Sequence, residues 1–236
     1  MIKKDFIVHK SMRFLIAWTI LMGSFSVMHA TTVGEVFMIL SRYAHNPAQV
    51  GEVAPLSQAA GLQLARFIGQ GNVGKKYLEA GGGCGAVSIC IAQALRPEDR
   101  LDVIEIDPEM CALLTKRLQG FGNVRVHCCS ILEWDPGFKY DAIISTLPFN
   151  SLGIEFTKRA MHYFQRMAAQ GCVVSYVEYP MVKQALQYFY MGERKRNFQE
   201  VQQYLEPIRQ QYLQEQTMIY FNVPPIAIYH LCFDKK

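Results

Sequence analysis

The chain has 236 residues, 50% of them hydrophobic and 19% charged, enough for one domain with a full core or one domain with an appendage. Its formal net charge of +4 suits an anionic membrane or a nucleic acid and demands neither. The 7 cysteines are odd in number, include no C-x-x-C pair and sit mostly in apolar patterns. That excludes a disulfide framework and points to reduced thiols in a cytosolic compartment. Cys128 and Cys129 adjoin His127, but further ligands at suitable spacing are missing, so no metal site is expected.

Residues 1–33 form a segment apart from a domain expected over 34–236. Lys3, Lys4, Lys10 and Arg13 precede an apolar run from Phe14 to Met22, followed by Gly23 and small residues. The shape is that of a signal peptide, but the run is short for a spanning helix, which needs about 20 apolar residues. Three readings stay open: an export signal, an upstream extension ahead of Met12, Met22 or Met28, and a helix lying in a membrane face. The last two together are favoured, because a basic amino end stays inside and export would carry the domain out of the cytosol. A helix is expected over 34–49, broken at Asn46-Pro47. Tyr43 and His45 within it suit packing or surface roles better than contact with a phosphate headgroup. Ser57 is the expected N-cap of a helix from Gln58 to Gln70, with Leu62, Leu64, Phe67 and Ile68 at helical spacing.

The stretch from Lys75 to Ala92 organises the rest. A short apolar strand, Tyr77 to Ala80, runs into Gly81-Gly82-Gly83-Cys84-Gly85, and a helix begins near Ala86. Glycines serve sharp turns and close backbone approach, and the helix start presents free N–H groups and a positive dipole end. That is a nucleotide-binding corner at the carboxyl edge of a parallel sheet. Gly81-x-Gly83-x-x-Ala86 fits a dinucleotide fingerprint, which alone is weak. Glu79 extends it to E-x-G-x-G-x-G. A carboxylate there would repel a pyrophosphate but could hold a cation, such as the amino-acid end of S-adenosylmethionine. An ordinary glycine-rich turn is the plainer alternative.

A second strand, Leu101 to Ile106, leads to Asp107 as N-cap and Pro108 as first helical residue. Glu105, about 20 residues beyond Gly85, is placed to accept both ribose hydroxyls. A solvated strand-end carboxylate is the alternative. A third strand runs from Val124 to Cys128, and Ser130 follows it close to where an adenine ring would lie. A fourth, Asp141 to Ser145, is followed by Thr146-Leu147-Pro148-Phe149-Asn150-Ser151, where the proline fixes a rigid turn. A helix from about Glu155 to Gln170, a fifth strand from Cys172 to Val177 ending in Glu178 and Tyr179, and a polar helical region over 181–215 come next. Two β-rich runs, Thr217 to Val223 and Ile226 to Phe233, close the chain. Strands alternating with helices and a closing strand pair give a doubly wound α/β sheet.

Together these motifs resemble a class I S-adenosylmethionine-dependent methyltransferase, and within that class the bacterial phospholipid N-methyltransferases, relatives of the ribosomal RNA adenine dimethylases. E-A-G-G-G-C-G, V-I-E-I-D and I-I-S-T-L-P-F-N-S carry the class resemblance. N-P-A-Q-V-G-E-V-A-P-L-S (46–57), S-T-L-P-F-N-S (145–151), Y-V-E-Y (176–179) and N-V-P-P-I-A-I-Y (222–229) carry the narrower one. It spans about 40–236. The resemblance implies a Rossmann-like, mostly parallel seven-stranded sheet with helices on both faces. It implies that Glu79, Gly81, Gly83 and Gly85 hold the methionine end of S-adenosylmethionine, Glu105 the ribose, and Ser130 the adenine amine. It also turns the 145–149 loop toward the methyl acceptor.

Transfer to an amine needs a neutral lone pair, close approach and exclusion of water, and no strong acid or nucleophile. Backbone carbonyls of Ser145, Thr146 and Leu147, the face of Phe149, and Tyr179 are the expected positioning groups, with Glu178 a lesser one for balancing charge. For Phe149 and Tyr179, core packing is the alternative. The sequence departs from the lipid enzymes at Thr146, where they carry glycine, at Ser130, where relatives carry aspartate, and at Leu56, where the first serine of a P-S-S pair is expected. The expected partners are a phospholipid such as phosphatidylethanolamine and an anionic membrane surface at the inner face of the membrane. Two other functions stay open. One is an RNA adenine dimethylase, for which the charge is modest and the leading asparagine of its N-L-P-Y loop is missing. The other is a binding module that keeps the fold without turnover.

Overall fold

A computed structural model describes residues 56–180, 192–222 and 225–234. The expected 1–33 segment, the 34–49 helix, Tyr43, His45 and most of the 46–57 motif lie outside the described residues. The described part is built on one 7-stranded sheet, in the order β3-β2-β1-β4-β5-β7-β6. Its strands are β1 (Lys76–Ala80), β2 (Arg100–Glu105), β3 (Val124–Cys128), β4 (Tyr140–Ser145), β5 (Ala168–Glu178), β6 (Leu213–Ile219) and β7 (Ile226–Cys232). β1 to β5 pair in parallel, and β7 is antiparallel to both β5 and β6. The helices are α1 (Gln58–Leu64), α2 (Ala86–Ala94), α3 (Pro108–Leu118), the short α4 (Phe149–Leu152), α5 (Ile154–Met167) and α6 (Gly192–Tyr212).

Alternation along the strands sorts the core onto two faces. Tyr77, Leu101, Val103, Ala142, Ile144, Ile226 and Ile228 pack with α1, α2 and α3, through Leu64, Ile91 and Leu114 among others. Leu78, Ile104, Ile143, Val174, Tyr176 and Leu231 pack with α5 and α6, through Phe164, Val201 and Leu205. The central parallel strands are thus covered on both sides, which is why they read as continuous apolar runs. Helices on both faces of a mostly parallel sheet were expected from the alternation of strand and helix patterns, and the chain has that architecture.

Local signals set several element ends. Asp107 Oδ1 accepts from Glu109 N at 2.9 Å and Met110 N at 3.1 Å, and Pro108 occupies the first helical position of α3. Ser57 Oγ accepts from Ala60 N at 3.3 Å to cap α1. Three expected boundaries shift. α1 ends at Leu64, and the chain then turns through Gly69, whose φ is 70° and whose N–H donates to the Tyr77 hydroxyl at 3.1 Å. β5 begins at Ala168 and carries Gly171 at φ 76°, with a register shift against β4. β6 begins at Leu213, and its alternating burial is that of an edge strand whose polar residues look helical in sequence.

Candidate active site

The carboxyl ends of β1, β2 and β4 converge on the glycine loop. β1 delivers Glu79, fully buried at 0% exposure on the face covered by α1 and α2. Gly81 N and Gly82 N donate to Ile104 O at 2.9 and 3.2 Å, which folds the loop over the end of β2. Gly81, Gly83 and Gly85 have φ of 86°, 51° and 89°, the left-handed region where side chains are strained. Gly82 answers a different need. A Cβ there would lie 2.5 Å from Val103 Cγ1 and 2.8 Å from Leu114 Cδ1. It is a packing glycine, and sequence reasoning, which took the alternate glycines, missed it. Gly85 caps α2 with no side-chain hydrogen bond and no acidic residue follows in the first turn, so the positive helix end faces the loop uncompensated by carboxylates of its own.

Glu105 ends β2 on the expected ribose side. Its Oε2 accepts from Gly83 N at 2.8 Å, and its Oε1 accepts from Ile106 N at 2.8 Å and Asp107 N at 2.9 Å. One carboxylate thus ties the glycine loop to the β2–α3 turn. Hydrogen bonds of this kind, to an ionised acceptor, are the strong ones. Ile106 beside it is 69% exposed, an apolar side chain held out at the same edge and not anticipated from sequence. Cys129 N and the Cys111 thiol both donate to Glu105 O, at 3.0 and 3.3 Å. Burial, followed by a hydrogen bond with Cys128, pushes the Cys111 thiol up to about 12, so it stays protonated and serves packing. Arg117 Nη1 donates to Cys84 O at 2.6 Å and braces the loop from α3, a contact with no local sequence signal. Ser130, half-buried, follows β3; its Oγ accepts from Leu132 N at 3.3 Å and shapes the turn at the expected adenine side.

On the other side of β1, the loop after β4 is fastened to the glycine loop. Thr146 N donates to Ala80 O at 3.1 Å, and the Thr146 hydroxyl donates to Gly81 O. A Cβ on Gly81 would lie 3.2 Å from both Thr146 Oγ1 and Leu147 Cδ2. Ser145 is fully buried, and its Oγ accepts from Leu147 N at 3.4 Å. Of the expected residues, Thr146 and Leu147 therefore stand directly against Gly81, and Ser145 pairs with Ala80 one residue before it.

Phe149 is placed differently. It is 4% exposed, and its ring meets Tyr176 edge-on at 5.9 Å within the core. Tyr179 is half-buried at the end of β5, packed on the side of α1 and α2. Glu178, offered as a counter-charge, is engaged elsewhere: it accepts from Arg209 Nη1 at 2.6 Å, and Arg209 also pairs with Glu206 at 2.7 Å. Burial works against the Arg209 charge, but Glu178, Tyr176 and Glu206 hold its pKa above the ordinary arginine value. Arg209 comes from the polar helix α6 and was not singled out in the sequence.

The site fits S-adenosylmethionine on its own geometry. A side chain at Gly81 would press on Thr146 and Leu147 and one at Gly85 on Leu114, so the loop keeps its backbone bare, and Glu105 is held by three backbone donors at the expected ribose position. Among the described residues no cluster of three or more His, Cys, Asp and Glu is arranged to hold a metal ion. No helix among them is long and apolar enough to cross a membrane.

Residues 78–171 match the family model described as a methyltransferase domain. A curated relative, the ornithine lipid N-methyltransferase of Singulisphaera acidiphila, is 26% identical over 180 residues, covering 73% of this chain and 90% of the relative. Among solved structures, the N-methyltransferase NodS from Bradyrhizobium japonicum WM9 bound to S-adenosyl-L-homocysteine superposes with a TM-score of 0.58 at 15% identity, covering 84% of this chain and 97% of that one. The O-methyltransferase TomG from Streptomyces achromogenes, in complex with SAM, gives 0.57 at 17% identity, covering 88% and 94%. N- and O-methyltransferases thus share this fold, and the fold alone does not select the acceptor atom.

Proposed function

We propose a specific acceptor for this chain, which is a class I S-adenosylmethionine-dependent methyltransferase: the amine of a polar-lipid headgroup, phosphatidylethanolamine first. The observation that carries the reading is the fastening of Thr146 to Gly81. It sets the backbone of Ser145 to Leu147 beside the loop that would hold the methionine end of the cofactor. The lipid class is supported by the ornithine lipid N-methyltransferase relative, whose length the match covers almost entirely, and by the loop resemblance over 145–151.

S-adenosylmethionine supplies an electrophilic methyl group when bound. The chain's own part is then modest. Glu105 and the glycine loop fix the cofactor. The carbonyls of residues 145–147 would accept the N–H groups of a neutral amine and turn its lone pair inward. Tyr179, at the same sheet edge, would close the approach against water. Phe149 would act by holding the loop in place through its packing on Tyr176. No protein carboxylate is needed, which agrees with the engagement of Glu178 by Arg209.

The test is an acceptor panel. Phosphatidylethanolamine, ornithine lipid, small free amines and adenine-containing RNA are each incubated with cofactor and enzyme, and methylated products are identified by mass spectrometry. Methylated lipid amine supports the reading. Methylated RNA with unmodified lipid refutes it and favours the adenine-dimethylase alternative. Cofactor binding with no product from any acceptor favours the binding module.

A further inference from the structure

The β6–β7 turn carries two adjacent aromatic side chains in water: Tyr220 is 71% exposed and Phe221 is 93% exposed. The turn's position is fixed by register. Ile219 pairs with Ile226, and Ala227 pairs with Glu178 at the end of β5. The turn therefore lies at the carboxyl edge of the parallel strands, the edge where the glycine loop and the 145–149 loop open. Asn222 holds its base, accepting from Ser57 N at 2.8 Å through Oδ1.

A second feature flanks the same edge. β6 runs in the direction of β5, so α6, which precedes it, starts at that edge too. The contacts agree. Asn197 Oδ1 accepts from Ile154 N at 3.0 Å, and Gln202 Nε2 donates to Asn150 Oδ1 at 2.9 Å, both just beyond the 145–149 loop. The exposed Lys195 and Arg196 stand in the first turns of α6. In strand order β4-β5-β7-β6, the basic residues stand by the β4 exit and the aromatic pair by the β6–β7 turn, with the end of β5 between them.

We propose that the Tyr220–Phe221 turn and the Lys195–Arg196 start of α6 together dock this sheet edge on an anionic phospholipid bilayer. Two consecutive aromatics on a turn are far less than the roughly 20–30 residues a side that a stable protein interface uses. They suit insertion at a bilayer's interfacial zone, where aromatic rings concentrate. The cations then meet anionic headgroups, and the two signals together give the stable binding that one alone does not. Docked in this way, the acceptor loop faces the headgroups. The biological meaning rests on the lipid-amine reading above, but the docking is measured without turnover.

The experiment uses the full chain and sedimentation with phosphatidylcholine vesicles, with and without phosphatidylglycerol, at low and high salt. Binding to the phosphatidylglycerol vesicles is expected. Tyr220→Ser with Phe221→Ser should lower partitioning about ten-fold. Phe221→Leu should keep most of the binding. Lys195→Gln with Arg196→Gln should lose the salt-sensitive part, about five-fold for each charge. Phe221→Trp should add a fluorescence signal that shifts to the blue on vesicles. Unchanged cofactor affinity, read by calorimetry, shows that each variant is folded. The proposal is overturned if the wild type ignores anionic vesicles or if the double serine variant binds them as the wild type does. It is equally overturned if the Phe221→Trp signal does not shift, or if Lys195 and Arg196 matter for RNA and not for vesicles. Vesicle binding through the turn with no lipid methylation would sink the acceptor assignment and leave the docking standing. Lipid methylation insensitive to the turn would do the reverse.

Discussion

The hydroxyl of Thr146 donates to the carbonyl of Gly81, joining the loop after β4 to the glycine loop after β1. The bond braces the two loops against each other through a side chain that glycine would lack. Removing the hydroxyl with Thr146→Val should lower kcat/KM for the acceptor about two- to ten-fold, the worth of one neutral hydrogen bond. Thr146→Ser should retain most of the activity. Steady-state kinetics with the acceptor varied, together with calorimetric titration of the cofactor product, separate an acceptor effect from loss of cofactor binding.

Glu105 joins the glycine loop to the β2–α3 turn through Gly83, Ile106 and Asp107. Glu105→Gln keeps the size, removes the charge and replaces one acceptor oxygen with a donor that faces N–H groups. S-adenosyl-L-homocysteine affinity should fall about 10- to 100-fold, the scale of one to two charge-assisted hydrogen bonds. Denaturant unfolding should show a smaller loss, of roughly 1–3 kcal/mol. Calorimetry and urea titration on the same samples check both numbers.

The pair of Glu178 and Arg209 is buried, with side chains 5% and 8% exposed. Arg209→Met would leave the Glu178 carboxylate without its cation and should destabilise by about 3–5 kcal/mol. Adding Glu178→Leu should recover much of that loss, since replacing both charges by apolar groups is often near neutral. Urea unfolding of the single and double variants reads the difference. Recovery of activity along with stability would show that Glu178 has no part in the chemistry.

His230 gives the fold a pH dependence. It is fully buried, its Nδ1 lies 2.7 Å from Ser175 Oγ, its Nε2 has no hydrogen-bond partner, and its ring meets Phe67 edge-on. Burial lowers its pKa from 6.5 to about 4, with a smaller raising effect from Glu215 and a further lowering one from Arg66. The folded state resists the proton that the unfolded state accepts. The stability it protects is complete above pH 6.5 and is lost as the pH falls toward about 4, by on the order of 3 kcal/mol. Chemical unfolding followed between pH 7 and 4 should show this loss, and His230→Leu should flatten that part of the profile.

The sheet was legible because parallel strands buried on both faces read as runs such as Leu101 to Ile106 and Asp141 to Ser145. The caps Ser57 and Asp107 were legible because a capping side chain acts within three residues of itself. The glycine loop and Glu105 were legible from spacing. What escaped depends on residues far apart in the chain. Gly82 is required by Leu114 and Val103 on neighbouring elements. Arg117 reaches Cys84 across 33 positions, and Arg209 reaches Glu178 across 31. The early start of β6 was hidden because the polar run Gln214 to Thr217 sits on an edge strand and continues a polar helix without a break. Phe149 illustrates the same limit within one motif: a ring in an acceptor-loop sequence is turned into the core by Tyr176.

Transfer of a methyl group to a lipid amine can be read directly. The most direct measurement is incorporation of label from methyl-labelled S-adenosylmethionine into mixed phosphatidylethanolamine and phosphatidylglycerol vesicles by the full chain. Glu105→Gln serves as the cofactor-site control. Labelled N-methylated phosphatidylethanolamine is expected, with incorporation reduced by Glu105→Gln in step with its loss of cofactor affinity. Unlabelled phosphatidylethanolamine from enzyme that binds the cofactor normally would contradict the lipid-amine reading.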